Sequence, residues 1–230
     1  MMSMRIDIVS AVPDIFQSPL NCSIIKRAQN KGLVEIVVHN LRDYAHDKHK
    51  QIDDRPFGGG AGMLLKPEPF FECIEKLQSE REYNNVVFTT PFGKLFDQDI
   101  ANKLSLSQNI IFIAGHYKGI DDRVRSTFAT DLISIGNYVL SGGELPTLII
   151  VDSIIRLIPG VLNDSESALN DSFMIKNEVS APDFTRPAEF RGMKVPSELL
   201  SGNHKLIKDW QENQSKELTE FWKKINHIAE

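Results

Sequence analysis

Short β-branched apolar runs alternate along the chain with amphipathic segments, and this alternation predicts an α/β sheet. Met4 to Val9 and Val34 to Val38 read as strands, and Ser23 to Lys31 between them reads as a helix ended by Gly32. Three further apolar runs, Val86 to Phe88, Ile110 to Ala114 and Leu132 to Ile135, have the character of parallel strands buried on both faces. Phe70, Phe71, Ile74 and Leu77 recur at helical spacing behind Pro67, which suits a first helical turn. Helical patterns also start from Asp97, Ile120 and Glu144.

Each of the last three strands runs into a glycine-bearing loop: Pro91-Phe92-Gly93, then Gly115 to Gly119, then Gly136 to Gly143. In a parallel sheet these loops gather at the carboxyl ends of the strands, where ligands bind. The run Phe57-Gly58-Gly59-Gly60-Ala61-Gly62 is too glycine-rich for regular structure and reads as another loop. None of these stretches has the G-x-G-x-x-G dinucleotide pattern or the G-x-x-x-x-G-K-[ST] phosphate pattern. From the residues alone the loops fit either turn chemistry or a ligand cradle. Pro159-Gly160 closes the region, and the polar, acidic stretch Asn163 to Asn170 reads as an interdomain linker. Beyond it, Pro182, Pro187 and Pro196 punctuate a loop-rich segment before an amphipathic helix over Leu206 to Ile228.

With 230 residues and 41% apolar content, the chain can form one substantial α/β core and a smaller second unit. The start lacks a signal-peptide pattern and no segment has the apolar length of a membrane span, so a cytoplasmic location with no membrane partner is expected. Cys22 and Cys73 form no C-x-x-C pair, and both read as reduced, inert thiols. A net charge of -5 weighs against nucleic acid, although a local basic surface is compatible with an acidic whole. His46-Asp47-Lys48-His49 has two imidazoles without a third ligand, so no protein-bound metal is assigned.

The stretch Ile135-Gly136-Asn137-Tyr138-Val139-Leu140-Ser141-Gly142-Gly143-Glu144-Leu145-Pro146 resembles the signature loop of the TrmD family of tRNA (guanine-N1)-methyltransferases. Asp53 to Gly60, Gly119 to Val124, Arg156 to Leu162, Asp171-Ser172-Phe173, Thr185-Arg186-Pro187 and Leu199 to His204 resemble further family blocks in family order. The similarity spans roughly residues 4 to 212. It implies a SPOUT-type parallel sheet with a deep C-terminal trefoil knot over 1–162. A linker over 163–174 and a small helical tRNA-binding domain over 175–230 would follow. The knot comes from the resemblance alone, because general topology rules favour unknotted chains.

The resemblance further implies a homodimer with composite active sites that methylates N1 of the guanosine at tRNA position 37, immediately 3′ of the anticodon. S-adenosyl-L-methionine would rest on Pro91, Gly93, Gly115, Tyr117, Gly119, Ile135, Gly136, Tyr138, Leu140, Gly142, Gly143 and Pro146. Asp53, Arg55, Gly62 and Ser172 match substrate-binding positions, the first three near the nucleotide that precedes the target. The tRNA anticodon stem-loop is the implied partner, with Mg2+ assisting without a fixed protein site. The family's aspartate and arginine match Asp171 and Arg156. Guanine N1 is a poor nucleophile until a base removes its proton, which a carboxylate can do, and a guanidinium can stabilise the charge that builds on O6. Read without the resemblance, Asp171 is a helix N-cap and Arg156 a surface salt-bridge residue.

Some positions depart from the family pattern. Most members have Arg-Tyr-Glu-Gly where this chain has His116-Tyr117-Lys118-Gly119, and Asp in place of Asn137. These changes make the cofactor region more positive, so a sulfonium should be attracted less strongly. The segment from His204 onward is less basic than in many members. Two rival readings remain at this stage: a related knotted methyltransferase acting on another RNA site, and a catalytically silent RNA-binding homologue.

Overall fold

In the computed structural model, which describes residues 3–162 and 171–227, the apolar runs form five parallel strands. These are β1 (Met4–Ser10), β2 (Val34–Asn40), β5 (Asn85–Leu95), β6 (Asn109–Ala114) and β7 (Asp131–Ser134), in the order β2-β1-β6-β5-β7. Alternate residues face opposite layers, as strand pleating requires. Ile6, Ile8, Ile110, Phe112, Val87 and Ile133 meet one apolar cluster, while Val9, Ile111, Ile113, Val86 and Phe88 meet the other.

Helices cover both faces of this sheet. On the first lie α1 (Asp14–Leu20), α2 (Ser23–Asn30), α4 (Gln98–Ser105) and α6 (Glu144–Ile155), contributing Phe16, Ile25, Leu104 and Ile150. On the second lie α3 (Pro67–Glu80) and α5 (Asp122–Phe128), contributing Phe70, Ile74, Val124 and Phe128. The helix expected from Ile120 starts later, because the Asp121 carboxylate accepts from the Arg123 N–H and caps it there. Helix α1 has no counterpart in the sequence expectations. Pro13 precedes it, Pro19 lies inside it, and only Phe16 and Leu20 are buried, so its apolar periodicity is short.

The strand through Val86 to Phe88 also departs from expectation. It does not stop before Pro91-Phe92-Gly93; after Thr89 the chain loops out and resumes pairing with β7 at Lys94, both residues lying opposite Ile133. Gly93 makes this possible, since a Cβ there would come within 2.5 Å of the Ile133 amide nitrogen. A two-stranded pair, β3 (Asp53–Asp54) with β4 (Leu64–Leu65), flanks the glycine run 57–62.

Asp7 of β1 is wholly buried on the second face. Arg5 donates two hydrogen bonds to it at 2.8 and 2.7 Å, Tyr83 Oη donates at 2.7 Å, and His39 Nε2 lies 2.7 Å away. Burial alone would raise this carboxyl's pKa, but the bonds from His39, Arg5 and Tyr83 outweigh it and hold the group well below the usual carboxylate range. Both cysteines are free, Cys22 exposed and Cys73 buried, and burial pushes the Cys73 thiol up to about 12.

The chain divides into two compact units, residues 1–163 and 164–230. In the second, the 22-residue helix α8 (His204–Ile225) follows Asn203, whose side chain accepts from the Lys205 and Leu206 N–H groups. Its expected last residue, Ile228, and the linker stretch 163–170 lie outside the described residues. The Val179 N–H donates to Thr219 Oγ1 at 2.9 Å and Ser215 Oγ donates to the Val179 carbonyl at 2.6 Å, tying the preceding loop to α8. Phe173 packs on Trp222 and Phe184 on Trp210. A hairpin, β8 (Glu189–Phe190) and β9 (Met193–Lys194), turns through Arg191 and Gly192, both at positive φ, and a short helix α7 (Ser197–Leu200) leads into α8.

Candidate active site

The excursion of β5 after Thr89 and the carboxyl end of β7 open into a cleft of about 370 Å³. Thr89, Thr90 and Pro91 form one wall, and the loop after β7 forms another through Ile135, Gly136, Asn137, Tyr138, Val139 and Leu140. Gly142, Gly143 and Pro146, at the start of α6, complete it. The chain makes this shape because three glycines remove side chains where backbone must pass closely. Gly136 has φ +147, and a Cβ there would collide with the Tyr138 ring. A Cβ on Gly142 would lie 2.8 Å from the Gly115 carbonyl, and one on Gly143 would lie 2.8 Å from the Gly115 amide and collide with Thr89 Oγ1. The Gly143 N–H donates to the Gly115 carbonyl at 2.6 Å, and His116 bridges to Gly142, so the third glycine loop is fastened to the second.

Eight of the twelve residues expected to hold cofactor line this cleft: Pro91, Ile135, Gly136, Tyr138, Leu140, Gly142, Gly143 and Pro146. Gly93, Gly115, Tyr117 and Gly119 do not. Gly93 and Gly115 back the wall, against Ile133 and Gly143, as described. Tyr117 is at φ +57 with its ring edge-on to His116, and the Gly119 carbonyl accepts from the Leu65 N–H at 3.0 Å.

The expected substrate residues of the first unit cluster elsewhere. Asp53 pairs with Leu65 across β3 and β4, Arg55 is exposed, and Gly62 takes φ +91. This loop docks on the second glycine loop through the Lys118 N–H, which donates to the Met63 carbonyl at 3.0 Å. The Lys118 ammonium stands beside Gly60, where a Cβ would be 3.2 Å away. Lys118 is therefore aimed at the 57–62 loop and is not among the residues lining the cleft, whereas Asn137 is.

Arg156 is half-buried at the C-cap of α6. Asp171, in the second unit, is half-buried in a turn whose Met174 N–H donates to its carbonyl at 3.3 Å. The N-cap reading of Asp171 is wrong. No helix starts there, because Phe173 takes φ +69 and its N–H donates to the Glu178 carbonyl, turning the chain back. Ser172 Oγ accepts from the Ser180 N–H at 3.0 Å and shares a hydrogen bond with Ser180 Oγ at 2.8 Å, which pins this turn.

Glu144 escaped the sequence reading. It is the first residue of α6, only 2% exposed, and contacts Ser10 and His116. A glutamate in a first helical turn is ordinary, so only its burial marks it. Among the described residues no group of three or more His, Cys, Asp or Glu side chains could hold a metal ion. No helix there is long and apolar enough to cross a membrane.

A family profile described as tRNA (Guanine-1)-methyltransferase TrmD matches residues 4–226. A tRNA (guanine-N(1)-)-methyltransferase of Chlorobaculum tepidum is 56% identical over 217 residues, covering 94% of each chain. Its namesake in Christiangramia forsetii is 58% identical over 216 residues, covering 94% of this chain and 95% of the relative. The namesake in Bacteroides thetaiotaomicron is 55% identical, covering 94% and 96%. With a parallel sheet whose third glycine loop lines the cleft and is fastened to the second, and a match along nearly its whole length, this chain belongs to the tRNA (guanine-N1)-methyltransferase family.

Proposed function

We propose that this protein transfers a methyl group from S-adenosyl-L-methionine to N1 of the guanosine at position 37 of tRNA. The observation that carries the reading is the cleft between the excursion of β5 and the loop after β7, whose walls are kept to backbone at Gly136, Gly142 and Gly143. An apolar lining that also includes Thr89, Thr90 and Asn137 suits a nucleoside with a polar amino-acid tail. Bound there, S-adenosyl-L-methionine supplies an electrophilic methyl group on a positively charged sulfur.

The chain's own residues do the remaining work. Asp171 would accept the N1 proton of guanine, leaving the N1 lone pair free to take up the methyl group that the bound donor would supply. Arg156 holds O6, where negative charge develops as the proton leaves, by a charge-assisted hydrogen bond. Asp53, Arg55 and Gly62 orient the preceding nucleotide, and Ser172 holds the turn that carries Asp171. The reading includes a trefoil knot in the 1–162 domain, a linker over 163–174 and a tRNA-binding helical domain over 175–230. It also includes a homodimer whose active sites draw on both subunits, a cytoplasmic location, and Mg2+ associated with the RNA.

Radiolabelled methyl transfer to unmodified tRNA transcripts tests it. Incorporation should require guanines at both positions 36 and 37. Transfer to transcripts lacking guanine 37 would indicate another RNA site, and no transfer to any transcript would favour a silent RNA-binding protein.

A further inference from the structure

The fastening of the second and third glycine loops converges on one buried carboxylate. Glu144 Oε1 accepts from Ser10 Oγ at 3.4 Å and lies 3.2 Å from His116 Nδ1, which is also 3.4 Å from Oε2. Ser10 ends β1 and is fully buried, His116 belongs to the loop 115–119, and Glu144 directly follows the cleft-lining Gly143. Gly142 closes over the pair, since a Cβ there would lie 2.8 Å from His116 Nδ1 and would collide with Glu144 Oε2. A carboxylate this deeply buried is tolerated only where a partner compensates its lost hydration. Among the described residues His116 is the one basic side chain paired with it. The α6 N-terminus adds its favourable dipole.

We propose that Glu144 and His116 form a positioning pair that sets the geometry of the cofactor cleft without touching the cofactor. The pair holds the Gly142–Gly143 turn where the Gly143 N–H meets the Gly115 carbonyl, and so fixes one wall of the cleft against another. The proposal rests on reading the cleft as the S-adenosyl-L-methionine site. An arginine in place of His116 could donate to the same carboxylate.

Two measurements on Glu144→Gln, His116→Asn, the double variant and His116→Arg test the proposal. The first is the hydrogen-exchange rate of the Gly143 amide in ligand-free protein. The second is calorimetric affinity for S-adenosylhomocysteine, whose neutral sulfur removes the direct effect of a changed charge. Each single variant should speed Gly143 exchange and weaken binding by about tenfold, the double variant should be no worse than the worse single one, and His116→Arg should stay near wild type. Exchange and affinity within about twofold of wild type in both single variants, or losses that multiply in the double variant, would overturn the proposal. Should Glu144→Gln fail to fold, the two substitutions at the partly exposed His116 still decide it. If the unaltered protein binds neither S-adenosyl-L-methionine nor S-adenosylhomocysteine, the reading of the cleft fails, while amide exchange continues to report on the pair.

Discussion

The Gly143 N–H donates to the Gly115 carbonyl at 2.6 Å, joining two loops that lie 28 residues apart and leaving no room for a side chain at Gly143. That contact ties the start of α6 to the end of β6. Its consequence is that the cleft wall is set by main-chain approach, which one added methyl group can spoil.

Gly143→Ala should therefore lower stability by about 1–3 kcal/mol, as overpacking does, and abolish tight S-adenosyl-L-methionine binding. Thermal unfolding and calorimetry check both. Unchanged affinity in a folded variant would mean that the wall can move aside at no cost.

Asp171→Asn keeps the shape of the side chain and removes the base. Single-turnover methyl transfer should fall by about 10²- to 10⁴-fold while cofactor affinity stays close to wild type. A rate within about threefold of wild type would remove Asp171 from the proton transfer.

Asn137 lines the cleft, whereas Lys118 stands beside Gly60. Asn137→Asp should tighten binding of S-adenosyl-L-methionine by about two- to fivefold, the scale of an exposed charge pair, with less effect on S-adenosylhomocysteine. Lys118→Glu should shift cofactor affinity less than Asn137→Asp does. Calorimetry with both ligands separates the two positions, and equal changes for both ligands in Asn137→Asp would show that its charge does not reach the sulfur.

The buried Asp7 gives a prediction for acid stability. Its folded pKa lies below the unfolded value of about 3.9, so its contribution is complete above that value and is lost as pH falls from there toward the folded pKa. Asp7→Asn should cost about 3–5 kcal/mol near neutral pH, because Arg5 and His39 lose a buried partner. It should also flatten the decline of stability below about pH 4. Denaturant titrations across that range measure both effects, and an unaltered acid limb would place the linkage on other carboxylates.

Much of this protein was legible from its residues. Apolar runs such as Ile110 to Ala114 became buried parallel strands because only a two-faced sheet covers both sides of a continuous apolar segment. Gly142 and Gly143 after β7 marked the cleft because a backbone that must pass within van der Waals contact of another cannot carry a Cβ. The family blocks, in order, identified the family. What local pattern could not supply was decided by partners distant in the chain. Helix α1 forms around two prolines because Phe16 and Leu20 find a place in the core. The strand β5 resumes after Pro91-Phe92-Gly93 because Ile133 of β7 offers backbone pairing on both sides of the excursion. Asp171, which reads as a helix cap, lies in a turn because the Phe173 N–H meets the Glu178 carbonyl before a helix can start. Glu144 looks like any acidic residue of a first helical turn, and it becomes a buried partner of His116 and Ser10 only when β1, the second glycine loop and α6 converge. Burial and pairing belong to the tertiary structure, since the desolvation that makes a charge consequential arises from residues that the local sequence does not contain.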